Sequence, residues 1–291
     1  MSEPHRLSFV LPAHNEAQTL PALIADLRRL HPGAEIVVVD DGSDDATAEC
    51  ARVAGADHVV HHPYPMGNGA AIKDGARAAS GEIIVFMDAD GQHRPEEVGK
   101  LLDGLADGYV MTVGTRHASA HANFARRLAN GFYNRLASWV TGHRIADLTS
   151  GFRAVHRNRF MEILFLLPNG FSYPTTSTMA FFRAGFPVRF VPVDVRARGG
   201  AASHIKPLRD GGRFLLIILK VTTLFSPLKI FTPAAAIFFV VGLGYYLYTF
   251  FSWHRFTQMS ALLFIISGLV FLLGLVAEQI ANLLYANTGH D

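Results

Sequence analysis

Through Thr115 the chain alternates short runs rich in Val and Ile with longer stretches of helical periodicity. The short runs predict strands at Leu7–Leu11, Glu35–Asp40, His58–Val60, Ile83–Asp88 and Val110–Thr115. Between them the periodicity predicts helices over Ala17–Leu30, Asp45–Ala54, Gly69–Ala79 and Pro95–Ala106. Strands that each lead into a helix imply right-handed crossovers, so the order predicts an α/β domain with a mostly parallel sheet flanked by helices. Such sheets bind ligands beyond the carboxyl ends of their strands. That rule selects the loops after Leu11, Asp40, Asp88 and Thr115, where the polar residues of interest cluster.

Farther along, the pattern changes. Ile230–Trp253 and Phe256–Ala277 contain no charged residue, and only His254 and Arg255 divide them. At 1.5 Å per residue each run reaches roughly 33–36 Å, enough for a bilayer core of about 30 Å. They predict a transmembrane hairpin with helices near 230–253 and 256–277. Leu208–Phe225 mixes Arg209, Asp210, Arg213 and Lys220 with Leu, Ile and Phe, and predicts an amphipathic helix lying in the membrane interface. The expected organisation is a large domain over residues 1–206, an interfacial region over 207–228, and the hairpin with a short tail over 229–291, the domain ending within Arg198–Arg209.

Flanking charge sets the expected orientation. Arg209, Arg213, Lys220 and Lys229 precede the first span, whereas the turn carries Arg255 alone. The positive-inside rule therefore puts the large domain and both termini on the cytoplasmic side of an inner membrane crossed twice. Met1–Arg6 lacks the basic start and apolar run of a signal peptide, in keeping with that side. A net charge of +2 over 291 residues is too small for a nucleic-acid binder. The single cysteine, Cys50, excludes an internal disulfide and has no ligand spacing around it. His61-His62-Pro63 and the pair His117 and His121 form no metal pattern, and read as surface or core residues. Gly67-Asn68-Gly69 lacks the third glycine of a dinucleotide fingerprint and precedes the fourth strand, so it reads as a turn that starts a helix.

Three acidic or polar strand ends carry candidate chemistry. Asp88-Ala89-Asp90-Gly91-Gln92 follows the strand Ile83–Met87, and two carboxylates one residue apart repel unless a cation lies between them. A hard divalent ion suits that pair, with Gln92 as a third oxygen. Taken alone, the same residues fit a solvated turn in which Asp88 caps the helix from Pro95 equally well. Asp40 and Asp41, in Val39-Asp40-Asp41-Gly42-Ser43, place further carboxylates at a strand end, where Asp40 can accept hydrogen bonds from a base or ribose. Ser43 or Asp44 capping the next helix is the structural alternative. The first strand ends in Pro12-Ala13-His14-Asn15-Glu16.

These three segments in this order resemble the motifs of family 2 glycosyltransferases with the GT-A fold. Asp147-Leu148-Thr149-Ser150-Gly151-Phe152-Arg153 is similar to the segment typical of the dolichol-phosphate mannose synthase branch, which includes bacterial polyprenyl-phosphate hexosyltransferases. The resemblance covers roughly residues 7–206, and several members carry a C-terminal hairpin of this kind. It implies that Pro12, Glu16 and Asp40 contact the donor nucleoside; Asp41 beside them, and Lys73 just after the Gly67–Gly69 turn, are further donor-binding candidates. It also implies that Asp88, Asp90 and Gln92 hold Mg²⁺ or Mn²⁺ with the donor diphosphate. Arg116 and Arg127 would face the acceptor phosphate, and Ser150 and Arg153 would line the reaction centre. Arg198 and Ser203 match a phosphate-contacting loop, although Ala201 and His204 stand where the family pattern has Gly and Lys.

The acceptor is also legible in the residues. Between Asp147 and Asp194 the only acidic residue is Glu162. Transfer to a hydroxyl needs a positioned base, usually a carboxylate, whereas a lipid phosphate is already ionised and needs cations instead. Arg116, Arg126, Arg127, Arg135, Arg144 and Arg153 supply them, in the geometry that suits phosphate oxygens. The expected reaction is metal-dependent, inverting transfer of a hexose from GDP-mannose or UDP-glucose to polyprenyl phosphate, at a lipid bilayer and with no nucleic acid. Transfer to a lipid or glycan hydroxyl, and a non-catalytic nucleotide-sugar sensor, are the alternatives.

Overall fold

The computed structural model describes residues 7–116, 124–170, 173–195 and 226–286, together with Leu219, Thr222 and Thr223. Arg198, Ser203, the expected boundary at Arg198–Arg209 and most of the expected interfacial segment lie outside the described residues. Contacts divide the chain into two units, Met1–Ser138 with His143–Gly211, and Trp139–Gly142 with Gly212–Asp291.

The first unit is built on seven strands: β1 (Leu7–Ala13), β2 (Glu35–Asp40), β3 (His58–His61), β4 (Ile83–Phe86), β5 (Met111–Arg116), β6 (Arg153–His156) and β7 (Val188–Val193). Their order across the sheet is β3-β2-β1-β4-β6-β5-β7. All neighbours pair in parallel except β6, which runs against β4 and β5. The mixed sheet is thus mostly parallel, as the alternating pattern implied. The antiparallel β6 is short and follows a loop, so no crossover pattern marked it. Among the described residues, seven helices accompany the strands: α1 (Leu20–Leu30), α2 (Thr47–Val53), α3 (Asn68–Ala78), α4 (Val98–Ala106), α5 (Phe124–Thr141), α6 (Arg157–Ile163) and α7 (Tyr173–Arg183).

Local chemistry moved several expected boundaries. Pro21 sits in the first turn of α1, where its missing N–H costs nothing, and Ala17–Thr19 turn instead of joining the helix. Neither Ser43 nor Asp44 caps α2, whose cap position is Ala46; Asp45 bonds the Thr47 N–H at 3.0 Å from just outside the helix. Nor does Asp88 cap the next helix. Pro95–Glu97 form a single 3₁₀ turn with Arg94 at its cap and no side-chain bond, and α4 begins after it.

Leu20, Leu23, Ile24 and Leu27 return at helical spacing and bury one face of α1 against Phe9, Leu11, Ile36 and Val38 of the sheet. Each such side chain contributes about 1.5–3 kcal/mol when fully buried. Val98, Leu101 and Leu105 of α4 join the same core. On the α3 side the helix lies so close that a Cβ on Gly75 would run into Val10 Cγ1 and stand 3.1 Å from Val39 Cγ2. This close seating fixes α3 against β1 and β2, the strands whose ends carry the acidic loop.

The second unit contains two apolar helices, Leu228–Trp253 and Gln258–Ala286. Their most apolar windows have mean hydropathies of 1.8 and 2.6, and only 11% and 17% of those windows are buried. Core helices of a soluble protein bury such surface; these expose Ile237, Phe251, Leu262 and Leu273, as membrane helices do. The pair packs through small residues: a Cβ on Gly242 would stand 3.0 Å from Leu263, and Ser267 Oγ donates to Ala235 O at 2.8 Å. The turn begins at His254, which adopts the left-handed conformation and donates its N–H to Phe250 O.

Gly75→Val is expected to destabilise the first unit by about 1–3 kcal/mol, because the added atoms overpack the β1–α3 contact. Denaturant unfolding of the detergent-solubilised protein reads this; unchanged stability would mean that α3 can withdraw from the sheet freely.

Candidate active site

The sheet order reverses direction between β1 and β4, and crevices at such switch points receive ligands. The loops there are stitched together by side chains. Asn15, held at φ 58°, donates its N–H to Ser43 Oγ and accepts from the Asp44 N–H, both at 2.9 Å. Glu16 N–H reaches Thr47 Oγ1 at 2.9 Å, and His14 Nδ1 reaches the Asp41 carbonyl at 2.9 Å. Thr19 Oγ1 lies 2.8 Å from both Glu16 Oε2 and Ala89 O, so the first loop is tied to the third as well.

These loops enclose a cavity of about 290 Å³ lined by Pro12, His14, Glu16, Asp41, Asp88 and Asp90, with Pro65, Asn68 and Ala71 from the α3 side. Its carboxylates are held in different ways. Asp41 accepts the N–H groups of Met66 at 2.7 Å and Gly67 at 2.8 Å, and meets the buried His62 at 2.7 Å. Gly42 must lack a side chain here: at φ 65° its Cβ would stand 2.6 Å from Pro65 N. Asp90 accepts the Gln92 N–H at 3.0 Å in a tight turn. Asp88 keeps more than a third of its side chain exposed, with His93 Nε2 3.7 Å from Oδ2.

The Asp147–Arg153 segment meets Asp88 directly. A Cβ on Gly151 would lie 3.0 Å from Asp88 Oδ2 and 3.1 Å from the Tyr173 hydroxyl, so only glycine leaves that carboxylate uncrowded. Ser150 Oγ, one residue earlier, is buried with no hydrogen-bond partner. Beneath lies Arg153, fully buried, with Nη1 donating to Ser177 Oγ at 2.6 Å and to Pro174 O at 3.3 Å, and Nη2 donating to Ser150 O. Burial pushes its pKa below the ordinary guanidinium value, while Tyr173, Asp147 and Asp88 pull it back up. Tyr173 donates its hydroxyl to Gly151 O at 2.9 Å. Burial raises the phenol's pKa, Arg153 opposes the shift and Asp88 adds to it.

Of the residues chosen from sequence, Pro12, Glu16, Asp41, Asp88 and Asp90 come together in the cavity lining. Others lie elsewhere. Asp40 is buried, spending one oxygen on the Ser43 N–H at 3.1 Å and the other on His61 at 2.8 Å. Lys73 reaches Leu167 O at 3.3 Å and the side chain of Asn169. Gln92 offers its backbone N–H to Asp90 and is not part of the lining, and Arg153 supports the site from below. Arg116 ends β5 and Arg127 belongs to α5. Sequence reasoning read His62 only as a surface or core residue, and it passed over His93. His93 is buried, stacks on Phe152 at 4.9 Å and leaves Nδ1 without a partner. Its position right after Gln92, at the end of the acidic motif, was the available signal.

Residues 8–164 match the family described as Glycosyl transferase family 2, and residues 226–283 match the GtrB C-terminal hairpin. Glycosyltransferase AglJ of Haloferax volcanii is 30% identical over 258 residues, spanning 87% of this chain and 84% of that protein. The dolichyl-phosphate hexose transferase of the same organism is 32% identical over 217 residues, spanning 74% and 93%. A crystal structure of glucosyl-3-phosphoglycerate synthase from Mycobacterium tuberculosis, with Mn²⁺, UDP and glucosyl-3-phosphoglycerate, is 26% identical with a TM-score of 0.57, over 75% of this chain and 78% of that one. The chain belongs to glycosyl transferase family 2, with a GT-A-like sheet and a C-terminal membrane hairpin.

Arg153→Lys is expected to cost about 1.5–3 kcal/mol, because one ammonium cannot span Ser177 Oγ and Ser150 O as the fork does. The change is read as a lowered denaturant midpoint; wild-type stability would assign those contacts no weight.

Proposed function

We propose that the enzyme transfers a hexose from a nucleotide sugar, of the GDP-mannose or UDP-glucose type, to a polyprenyl phosphate, with inversion at the anomeric carbon. The observation that carries this reading is the convergence of Asp41, Asp88 and Asp90 on one cavity at the β1–β4 switch point. The name of the Haloferax relative, a dolichyl-phosphate hexose transferase, supports a lipid phosphate as acceptor. So does the chemistry of α7, where Thr175, Thr176, Ser177 and Thr178 are buried and no acid is available as a base.

A divalent cation, Mg²⁺ or Mn²⁺, fits the donor set. Asp88 and Asp90 open onto the same space, and Gly151 keeps the room beside Asp88 that a side chain would fill. Among the described residues no three His, Cys, Asp or Glu side chains surround one point. Two carboxylates with Gln92 would leave the remaining oxygens to the donor phosphates and water, as hard cations with few protein ligands require. When bound, the ion supplies positive charge to the departing diphosphate.

The chain's own residues do the rest. Pro12, Glu16 and Asp41 hold the nucleoside, with Asp40 bracing the loop beside it and Lys73 fixing the segment behind α3. Arg116 and Arg127 bind the acceptor phosphate, whose oxygen forms the new bond to the anomeric carbon as the bond to the diphosphate breaks. Arg198 and Ser203 add contacts to phosphate, and Ser150 and Arg153 shape the floor. The domain over residues 1–206 works on the cytoplasmic side, the region over 207–228 lies in the interface, and residues 229–291 anchor it.

Incubating membranes with polyprenyl phosphate and a panel of nucleotide sugars, and weighing lipid products by mass spectrometry, tests the reading. The expected product is an acid-labile polyprenyl-phosphate hexose; a lipid glycoside would overturn the acceptor. Asp90→Ala should lower turnover by about a hundredfold or more, and a chelator should do the same until Mg²⁺ or Mn²⁺ is restored. Turnover that survives both removes the metal from the mechanism.

A further inference from the structure

His62 follows β3 and is buried, outside every role assigned above. Both its ring nitrogens meet carboxylates: Nδ1 lies 2.7 Å from Asp41 Oδ1, and Nε2 lies 3.1 Å from Asp74 Oδ2. An ionised carboxylate only accepts hydrogen bonds, so both contacts are made when each nitrogen carries a hydrogen. Asp74, on α3, is itself held by Arg77 Nη1 at 2.6 Å, one turn along the same helix. Acidic and nitrogen-bearing side chains therefore alternate along a line of contacts from Asp41 through His62 and Asp74 to Arg77.

One end of that line opens on the cavity. Asp41 Oδ1 is filled by His62 and the Met66 N–H, whereas Oδ2 accepts the Gly67 N–H and keeps acceptor capacity. Three donors from one short loop fix the carboxylate's rotation, and His62 is the only one supplied by a side chain among those three.

We propose that His62 is a positioning residue for donor recognition. It clamps Asp41, leaving Oδ2 to accept a ring N–H, the group that uracil and guanine carry and that adenine and cytosine lack. Asp74 and Arg77 brace the clamp from α3. The role rests on the reading of Asp41 as a nucleoside contact.

The test uses the full chain in membranes with saturating polyprenyl phosphate and the nucleotide sugar found to support transfer. His62→Phe should raise the donor KM about tenfold, the equivalent of one good hydrogen bond, with kcat changed less than about threefold. His62→Gln, which can still donate to one carboxylate, should fall between His62→Phe and the wild type. Asp74→Asn should raise the same KM. The double variant His62→Phe/Asp41→Asn should be no worse than Asp41→Asn alone, since both changes disable one device. A purely structural histidine would instead lower the unfolding midpoint and give additive effects on KM. If His62→Phe does not accumulate as folded protein, His62→Gln and Asp74→Asn decide. A raised donor KM in Asp41→Asn with an unchanged one in the folded His62 and Asp74 variants overturns the role of His62 alone. An unchanged donor KM in Asp41→Asn overturns the nucleoside contact itself, and this role with it.

Discussion

Negative charge crowded at the tips of β2 and β4 is the constraint around which the site is arranged. Asp40, Asp41, Asp88 and Asp90 all stand at that edge, on strands separated by β1 alone. Carboxylates gathered at one edge repel one another unless hydrogen-bond donors or cations face them. The protein divides them. Asp40 is satisfied by the Ser43 N–H and His61 and fastens its loop, while Asp41 is held by two backbone N–H groups and His62 with acceptor capacity left on Oδ2. Asp88 and Asp90 receive far less: one N–H for Asp90, and for Asp88 a histidine beyond hydrogen-bond distance. Carboxylates with this few hydrogen-bond donors, opening on one cavity, are the arrangement that a hard cation suits.

The same economy shows in the backbone. Gly42 lies against Tyr64 and Pro65, and a Cβ on Gly69 would run into Pro168 O. At the start of α3 the N–H groups of Gly69 and Ala70 donate to Gly170 O at 3.2 Å and Asn169 O at 2.8 Å. The N-terminus of α3 is therefore spent on protein carbonyls, which removes the usual means by which a glycine-rich turn cradles phosphate. Lys73 closes the same contact from the next turn of the helix. The loop that looks like a nucleotide fingerprint works as a joint between α3 and the segment leading to α7.

Much of this was legible in the sequence, and the misses share a cause. Five strands and their helices follow from runs of Val and Ile with helical stretches between them, since each has its own periodicity and length. The hairpin is plain from the loss of charge. Boundaries moved where a single residue intervened, as Pro21 does at α1. β6 was missed because four residues, Arg153–His156, become a strand only by pairing between β4 and β5, neither of which is near in sequence. Residues of the acidic motifs line one cavity, because strand tips define its place. What the sequence hid was which of two adjacent aspartates faces it. Asp40 and Asp41 differ in orientation through His61 and His62, and two successive histidines carry no periodic signal of their own.

Arg153 shows how burial redirects a residue type. An arginine in a glycosyltransferase motif reads as a phosphate binder, but this guanidinium has no exposed surface and its two terminal nitrogens are occupied by Ser177, Pro174 and Ser150. A buried cation without a contacting carboxylate is costly, so it persists where something needs its field and its bonds. Here it ties the Ser150 carbonyl to the first turn of α7, next to the glycine that packs on Asp88. Its charge acts through the floor of the site and cannot grip a substrate. The proposed grip on an acceptor phosphate must then come from other arginines, and the proposal assigns it to Arg116, the last residue of β5, and Arg127, on α5.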